Sequence, residues 1–168
     1  MRLLSVSRSS PQARISLRTK SGLMLSALTL GLMLMQGEAM AKMVIFSAVQ
    51  GQVLLAGKPV VGAVLERRFN WGWKDENGGD SAQTNATGEF SLPLIERSSF
   101  LGAVLPHEPV IRQQIDLRHE GKTYEIWMHI KRDYERDTEG EGKPIRVRCQ
   151  LDAQPAKHGK VMGLCEFL

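Results

Sequence analysis

The chain has 168 residues, of which 22 are lysine or arginine and 18 are aspartate or glutamate, so its formal net charge is +4. Five of the basic residues and one of the acidic residues fall within residues 1–41, which leaves 17 of each sign in residues 42–168. The basic excess therefore lies in the first 41 residues, and it is no evidence for nucleic-acid binding. The 127 residues that follow suit one domain.

Residues 1–41 have the pattern of a secretory signal peptide. Their basic start contains no acid, residues 23–35 form a mostly apolar run, and Ala39 and Ala41 are the small residues that a signal peptidase reads. The alternative is an uncleaved membrane anchor, but the run is shorter than the roughly 18 residues expected of a spanning helix. We therefore predict cleavage, no stable membrane span afterwards, and a periplasmic or secreted protein in a Gram-negative envelope.

The first part of the domain predicts short strands separated by turns. Residues 44–53 predict the first strand, and residues 57–59 predict a tight turn, because glycine tolerates positive φ and proline donates no hydrogen bond. Gly62 predicts a bulge or a close backbone approach. Phe69, Trp71 and Trp73 alternate and therefore share one face of the next strand.

Residues 74–80 are polar and predict a solvated loop. The alternative is a calcium site formed by Asp75, Glu76, Asn77 and Asp80, although their spacing is not that of an EF-hand loop. Residues 85–88 predict a second turn, and Phe90, which follows that turn, is predicted to lie in the core.

The second part of the domain predicts two longer strands and a charged connection. Residues 98–105 predict a short apolar connection, and residues 110–117 alternate as a strand. Strict alternation over residues 122–131 predicts Tyr124, Ile126, Met128 and Ile130 on one face, with Trp127 and His129 on the other. Residues 133–143, rich in Glu and Gly, predict a solvated hairpin tip.

Cys149 and Cys165 are the only cysteines, and both lie in the part predicted to be exported. Two cysteines in an oxidising compartment most simply form a disulfide bond. One alternative is a metal site with His158 as a third ligand, although the close ligand pairs that zinc favours are missing. The other alternative is two free thiols.

Two segments resemble the carboxypeptidase regulatory-like domain, a member of the transthyretin-like β-sandwich group. They are the strand–turn–strand pattern of residues 51–65 and the pattern Thr84-x-x-Thr87-Gly88-x-Phe90. Residues 105–109, 124–129 and 158–161 resemble a bacterial family of this fold with no assigned function. The resemblance implies a single all-β domain over residues 42–168, a transthyretin-like (prealbumin-like) Greek-key β-sandwich of about seven or eight strands. It does not imply one activity, because one fold hosts many functions.

Candidate site residues are few. Trp71, Trp73 and Trp127 either form an aromatic surface for a ligand or fill the core. His107, Glu108 and His129 are candidates for acid–base chemistry, against a structural role for each. No serine or cysteine nucleophile motif accompanies them, so we predict no catalytic residues, no metal and no cofactor.

Three functional hypotheses follow from these patterns. The first is a non-enzymatic exported binding or accessory module that meets a protein partner in the cell envelope, with Trp71, Trp73, His107, Trp127 and His129 as candidate binding residues. The second is a periplasmic immunity protein against a delivered toxin. The third is a hydrolase for envelope sugars or small molecules that uses His107, Glu108 and His129.

Overall fold

A computed structural model describes residues 42–98 and 107–168 of the chain. The predicted signal peptide, residues 1–41, and most of the predicted connection at residues 98–105 lie outside the described residues. The prediction of an all-β domain is confirmed. The strands are β1 (Lys42–Phe46), β2 (Val49–Leu55), β3 (Lys58–Pro59), β4 (Val64–Trp71), β5 (Glu76–Gln83), β6 (Glu89–Leu92), β7 (Ile95–Ser98), β8 (Ile111–His119), β9 (Lys122–Lys131), β10 (Ile145–Gln150), β11 (Ala156–His158), β12 (Val161–Gly163) and β13 (Cys165–Phe167).

The structure has more strands than the seven or eight predicted, because several of them are short pieces of two to four residues. The helical structure in the described part of the chain is one 3-10 turn, Thr138–Gly140. None of the helical structure there has the length and apolar character that a membrane span needs.

Within the described residues the strands form three sheets. A six-stranded sheet has the order β11-β12-β9-β8-β4-β5, and a five-stranded sheet has the order β13-β10-β2-β3 with β6 also paired to β2. The third sheet is the pair β1 and β7. Strands β2 and β10 run parallel, with Gly51 opposite Val147, and the other pairs in these sheets are antiparallel.

One hydrophobic core receives side chains from both larger sheets. Val53, Phe90 and Val147 come from the five-stranded sheet, and Leu65 and Trp127 come from the six-stranded sheet. Phe90 is 6% exposed, as predicted from the turn before it. A second, smaller cluster lies beside this core, and its members are Met43, Ile45, Phe69, Trp71 and Ile111.

A β-bulge in β9 changes which side chains face the core. Ile115 pairs with Trp127 but Asp116 pairs with Glu125, so Ile126 is an extra residue without a partner in β8. As a result Ile126 and Trp127, which are consecutive in sequence, are both buried. The prediction that one face carries all four apolar residues of β9 is therefore wrong. The bulge reverses the alternation after Ile126, and Met128 and Ile130 are exposed.

Gly163 in β12 makes room for this bulge. A Cβ atom at Gly163 would lie 2.2 Å from the carbonyl oxygen of Ile126, and its φ of 155° is one that other residues rarely adopt. The bulge and this glycine therefore depend on each other across the β9–β12 pair.

The predicted solvated loop at residues 74–80 is wrong for most of its length. Residues 72–75 form the turn, and Glu76 begins β5, an edge strand in which half-buried and exposed residues alternate. Gly78 allows the Phe69 ring to cover the strand, because a Cβ atom there would lie 2.7 Å from the ring. Of the four residues proposed for calcium, Glu76 and Asp80 thus lie on one face of the strand and Asn77 lies on the other, while Asp75 lies in the turn.

The disulfide prediction is confirmed. Cys149 in β10 and Cys165 in β13 lie directly opposite each other, and their sulfur atoms are 1.97 Å apart. The alternative metal site with His158 and the alternative of free thiols are therefore wrong. The bond ties the last strand to the centre of the five-stranded sheet.

Candidate interaction surface

Trp127 is a core residue. It is 1% exposed and packs between Phe46 and Phe167, with ring centroids 5.9 and 5.8 Å away. The bulge at Ile126 places it on the inner face, and this settles the choice between core and surface in favour of the core. Trp127 is therefore a poor candidate for contact with a ligand.

Trp71, Trp73 and His107 meet Tyr134 at one end of the six-stranded sheet. The Trp71 indole Nε1 donates to the Tyr134 hydroxyl over 3.0 Å, and the same hydroxyl lies 2.6 Å from His107 Nε2. The Trp73 and His107 rings stack with centroids 4.0 Å apart. We call these four residues the aromatic cluster.

The aromatic cluster closes the smaller hydrophobic cluster rather than forming an open aromatic face. Trp71 is 2% exposed, whereas Trp73 and Tyr134 are half-buried. Burial raises the pKa of Tyr134, which makes its hydroxyl a weaker acid and a poor source of a phenolate. Three of the candidate binding residues, Trp71, Trp73 and His107, thus meet in this cluster, but the surface that they offer is small.

His129 and Glu108 each contact a different partner, and neither contact involves the aromatic cluster. His129 Nδ1 is 2.9 Å from the carbonyl oxygen of Lys160, and burial lowers the pKa of its imidazole. Glu108 forms an exposed ion pair with Arg132 over 2.8 Å. The three candidates for acid–base chemistry are thus divided among three sets of partners.

Sequence reasoning missed a buried polar cluster at the middle of the charged connection, residues 133–143. Glu139, in the 3-10 turn, is fully buried and accepts hydrogen bonds from Ser47 Oγ (2.8 Å), Gln113 Nε2 (2.8 Å) and Lys131 Nζ (3.0 Å). Lys131 is also buried. The prediction that this connection is a solvated hairpin tip is wrong, because its central acid is held inside by donors from β8, from the end of β9 and from the turn after β1.

The charge state of this buried pair follows from its partners. Burial alone would raise the pKa of Glu139, but the neighbouring Lys131 ammonium and the amide of Gln113 hold that pKa below its ordinary value. Glu139 is therefore ionised, and each of its oxygens already accepts hydrogen bonds. Such a carboxylate is suited to fixing the connection in place rather than to proton transfer.

A second buried ion pair lies on the same side of the six-stranded sheet. The Arg67 guanidinium is buried and donates two hydrogen bonds to Asp80, over 2.8 and 2.6 Å. It also donates to the backbone oxygens of Ser47 and Pro93. Asp80, proposed from sequence as a calcium ligand, is thus a partner of arginine.

The outer face of the six-stranded sheet carries exposed apolar residues. Met128 and Ile130 of β9 are 46% and 47% exposed, and Met162 of β12, directly opposite Met128, is 40% exposed. Across the sheet Ile130 pairs with Arg112 and Met128 pairs with Gln114. We call Met128, Ile130 and Met162 the apolar stripe.

The charges on this outer face are unevenly arranged. Arg68, in the same cross-strand row as Met128, pairs with Asp116, and at the end away from the stripe Arg118 pairs with Glu66. Arg112, next to the stripe, forms no ion pair with any residue that the structure describes. A shallow groove of about 390 Å³ runs along the stripe, lined among others by Arg68, Asn70, Arg112, Gln114, Met128 and Ile130.

Within residues 42–98 and 107–168, no three histidine, cysteine, aspartate or glutamate side chains come close enough together to hold a metal ion.

Comparison with known proteins gives a family but no activity. No curated protein and no solved structure matches the chain. Residues 49–154, more than half of the chain, match the family described as Domain of unknown function (DUF6795). That match begins at β2 and ends just before β11, so it includes the parallel strand pair and four strands of the six-stranded sheet, β4, β5, β8 and β9. The chain therefore belongs to the DUF6795 family.

Proposed function

We propose that this protein is an exported, non-enzymatic binding module that meets a protein partner in the cell envelope. The observation that carries the proposal is the separation of the groups that sequence offered for catalysis. His107 contacts Tyr134 and Trp73, His129 contacts the Lys160 carbonyl, and Glu108 pairs with Arg132. A general acid and a general base that act together must both lie within hydrogen-bond reach of one substrate.

The fold that we propose for this module is a Greek-key β-sandwich of the transthyretin-like group. Two lines of support come from the structure. The two larger sheets contribute to a single core, as sheets packed face to face do. Their strand orders also place strands that are distant in sequence side by side, as in β2 and β10. The patterns of residues 51–65 and 84–90 add the resemblance to carboxypeptidase regulatory-like domains.

Export is proposed from the signal-peptide pattern of residues 1–41, and the disulfide bond supports it because such bonds persist in oxidising compartments. The test is to express the full chain in a Gram-negative bacterium, fractionate the cells and sequence the amino terminus of the product. We expect a periplasmic protein that begins at Lys42. A full-length product in the membrane fraction would favour an uncleaved anchor instead.

The binding role is tested by capture from an envelope extract with the exported protein as bait. Trp127→Ala is unsuitable as a control because it would leave a hole in the core, at a cost of about 3–5 kcal/mol. Heat-unfolded bait is a better control for non-specific capture. We expect one dominant partner that depends on the folded bait.

The enzymatic alternative has its own test. The exported protein is incubated with envelope sugars and small esters, and any turnover is remeasured for His107→Ala and His129→Ala. Turnover that both variants abolish would contradict the proposal, and absence of turnover together with a captured partner would support it.

A further inference from the structure

We propose that the apolar stripe and Arg112 form the docking site of this module, and that its occupant is a protein segment carrying carboxylates beside apolar side chains. This inference rests on the proposed binding function and adds the location of the site and the chemistry of the partner. The site comprises Met128, Ile130, Met162 and Arg112, with the groove beside them.

The first argument is the position of the apolar stripe. The bulge at Ile126 turns Met128 and Ile130 to the outside, and the β9–β12 register puts Met162 next to Met128. Three large apolar side chains, each at least 40% exposed, thus form one continuous strip on neighbouring strands. Methionine adapts its shape to different partners, and methionine and arginine are enriched in protein interfaces.

The second argument is the unbalanced charge beside the stripe. Arg112 lies directly across from Ile130, and Lys157 of β11 lies directly across from Met162. Neither cation has an ion-pair partner among the residues that the structure describes, whereas Arg68 and Arg118 on the same face both do. The free cations therefore flank the apolar residues.

These charges indicate which partner the site fits. Covering the stripe would take Arg112 out of water, which is costly unless a carboxylate pairs with it. The guanidinium forms two parallel hydrogen bonds with a carboxylate, so an acidic side chain beside apolar ones satisfies the whole site. The groove is partly open to solvent on the face of the sheet, so an extended protein segment can lie along it.

The test is selection of random twelve-residue peptides displayed on phage against the folded exported protein. We expect enriched peptides that combine aspartate or glutamate with apolar residues. A synthetic copy of an enriched peptide should bind about tenfold or more weakly to Arg112→Glu and to Met128→Ser, because each variant removes a central contact. Thermal unfolding of the variants verifies that these exposed substitutions leave the fold intact.

The other end of the same face supplies matched controls. Arg118→Glu reverses an arginine that already has an acidic partner, and Val64→Ser removes an exposed apolar residue, 38% exposed, away from the stripe. We expect both controls to bind the peptide within about twofold of the unaltered protein. Equal loss in controls and test variants would contradict a localised site.

Three further outcomes would overturn the inference in distinguishable ways. Peptides that bind all variants equally would place the docking site elsewhere and leave the proposed binding function intact. If no peptide that combines acidic and apolar residues is enriched, the proposed chemistry of the partner is wrong. This holds even if the envelope capture finds a protein partner. Binding to phosphatidylglycerol vesicles that Arg112→Glu and Met128→Ser abolish, with no peptide enriched, would replace the protein partner by an anionic membrane surface.

Discussion

Two acidic segments of similar composition differ in how deeply their acidic side chains are buried. Residues 74–80 become a turn and an edge strand, in which Glu76 pairs with Arg97 near the surface. Residues 133–143 form an irregular connection, yet their central acid, Glu139, is completely buried. Both segments look like solvated loops in sequence, because each is rich in Asp, Glu and Gly.

The difference shows that the partners of an acidic residue, rather than the composition around it, decide whether it is buried. Glu139 meets an ammonium, an amide and a hydroxyl, which come from Lys131, Gln113 and Ser47. These donors replace the water that a carboxylate loses on burial. Glu76 has one partially exposed arginine and stays near the solvent.

The largest expected effect is that of Glu139→Ala. The substitution removes the fully buried one of the two carboxylates that pair with Lys131, the other being Asp133, and also leaves Gln113 and Ser47 without their acceptor. We therefore expect a loss of about 3 kcal/mol in the free energy of unfolding. Urea unfolding followed by circular dichroism measures it. Glu135→Ala, an exposed acid in the same connection, is the matched control and should change stability by less than about 0.5 kcal/mol.

A double variant sharpens this test. In Lys131→Met with Glu139→Leu, both charges are replaced by apolar side chains, and we expect most of the lost stability to return. If Glu139→Ala and Glu135→Ala cost the same, the buried pair contributes little and the comparison between the two segments fails.

Asp80→Ala should have the next largest effect. It leaves the buried Arg67 guanidinium without its carboxylate, but Asp80 is itself 28% exposed and two backbone oxygens still accept from Arg67. We expect a loss of about 2 kcal/mol, measured by the same unfolding experiment. Its neighbour Ser81→Ala is the control, and a similar loss in both variants would mean that the edge strand, not the ion pair, is responsible.

Acid should weaken the protein through Glu139. Its pKa is lower in the folded protein than in the unfolded chain, so its contribution is present above the unfolded pKa and is lost as the pH falls through the folded value. We expect the free energy of unfolding to decrease as the pH is lowered below about 4.5. In Glu139→Gln this decrease should be shallower, and an unchanged slope would show that other carboxylates account for it.

The smallest effect is expected for Glu76→Ala, in the exposed segment. Glu76 and Arg97 are 32% and 39% exposed, and such ion pairs contribute below about 1 kcal/mol. The variant should also lose less stability on going from low to high salt, because it has one ion pair fewer to screen. A loss equal to that of Glu139→Ala would put both segments in the same class.

Much of the fold could be predicted from the sequence because its signals are local. The turn at residues 85–88, the burial of Phe90 and the alternation of β8 depend on neighbours along the chain. The Cys149–Cys165 bond follows from there being two cysteines on adjacent strands. The family match over residues 49–154 extends across these elements but assigns them no activity.

The features that were not predicted depend on residues far apart in sequence. The bulge at Ile126 needs the registers of β8 and β12 together, and its one sequence signal is Gly163, nearly forty positions later. A strand without the bulge would carry Trp127 on the outer face and Met128 on the inner face. The sequence therefore predicts an aromatic surface where the structure has the apolar stripe. The burial of Glu139 likewise needs Ser47 and Gln113, which no local pattern connects to it.

The parallel pairing of β2 with β10 also has a consequence for how the chain folds. Val49 pairs with Ile145, so the centre of the five-stranded sheet joins residues almost a hundred positions apart. Closing so long a loop lowers the entropy of the chain before the stabilising contacts between the two strands have formed. Proteins dominated by such contacts fold in milliseconds to seconds. Until β10 has paired with β2, one side of β2 has unpaired backbone N–H and C=O groups. Strands of other chains can pair with these groups and start aggregation.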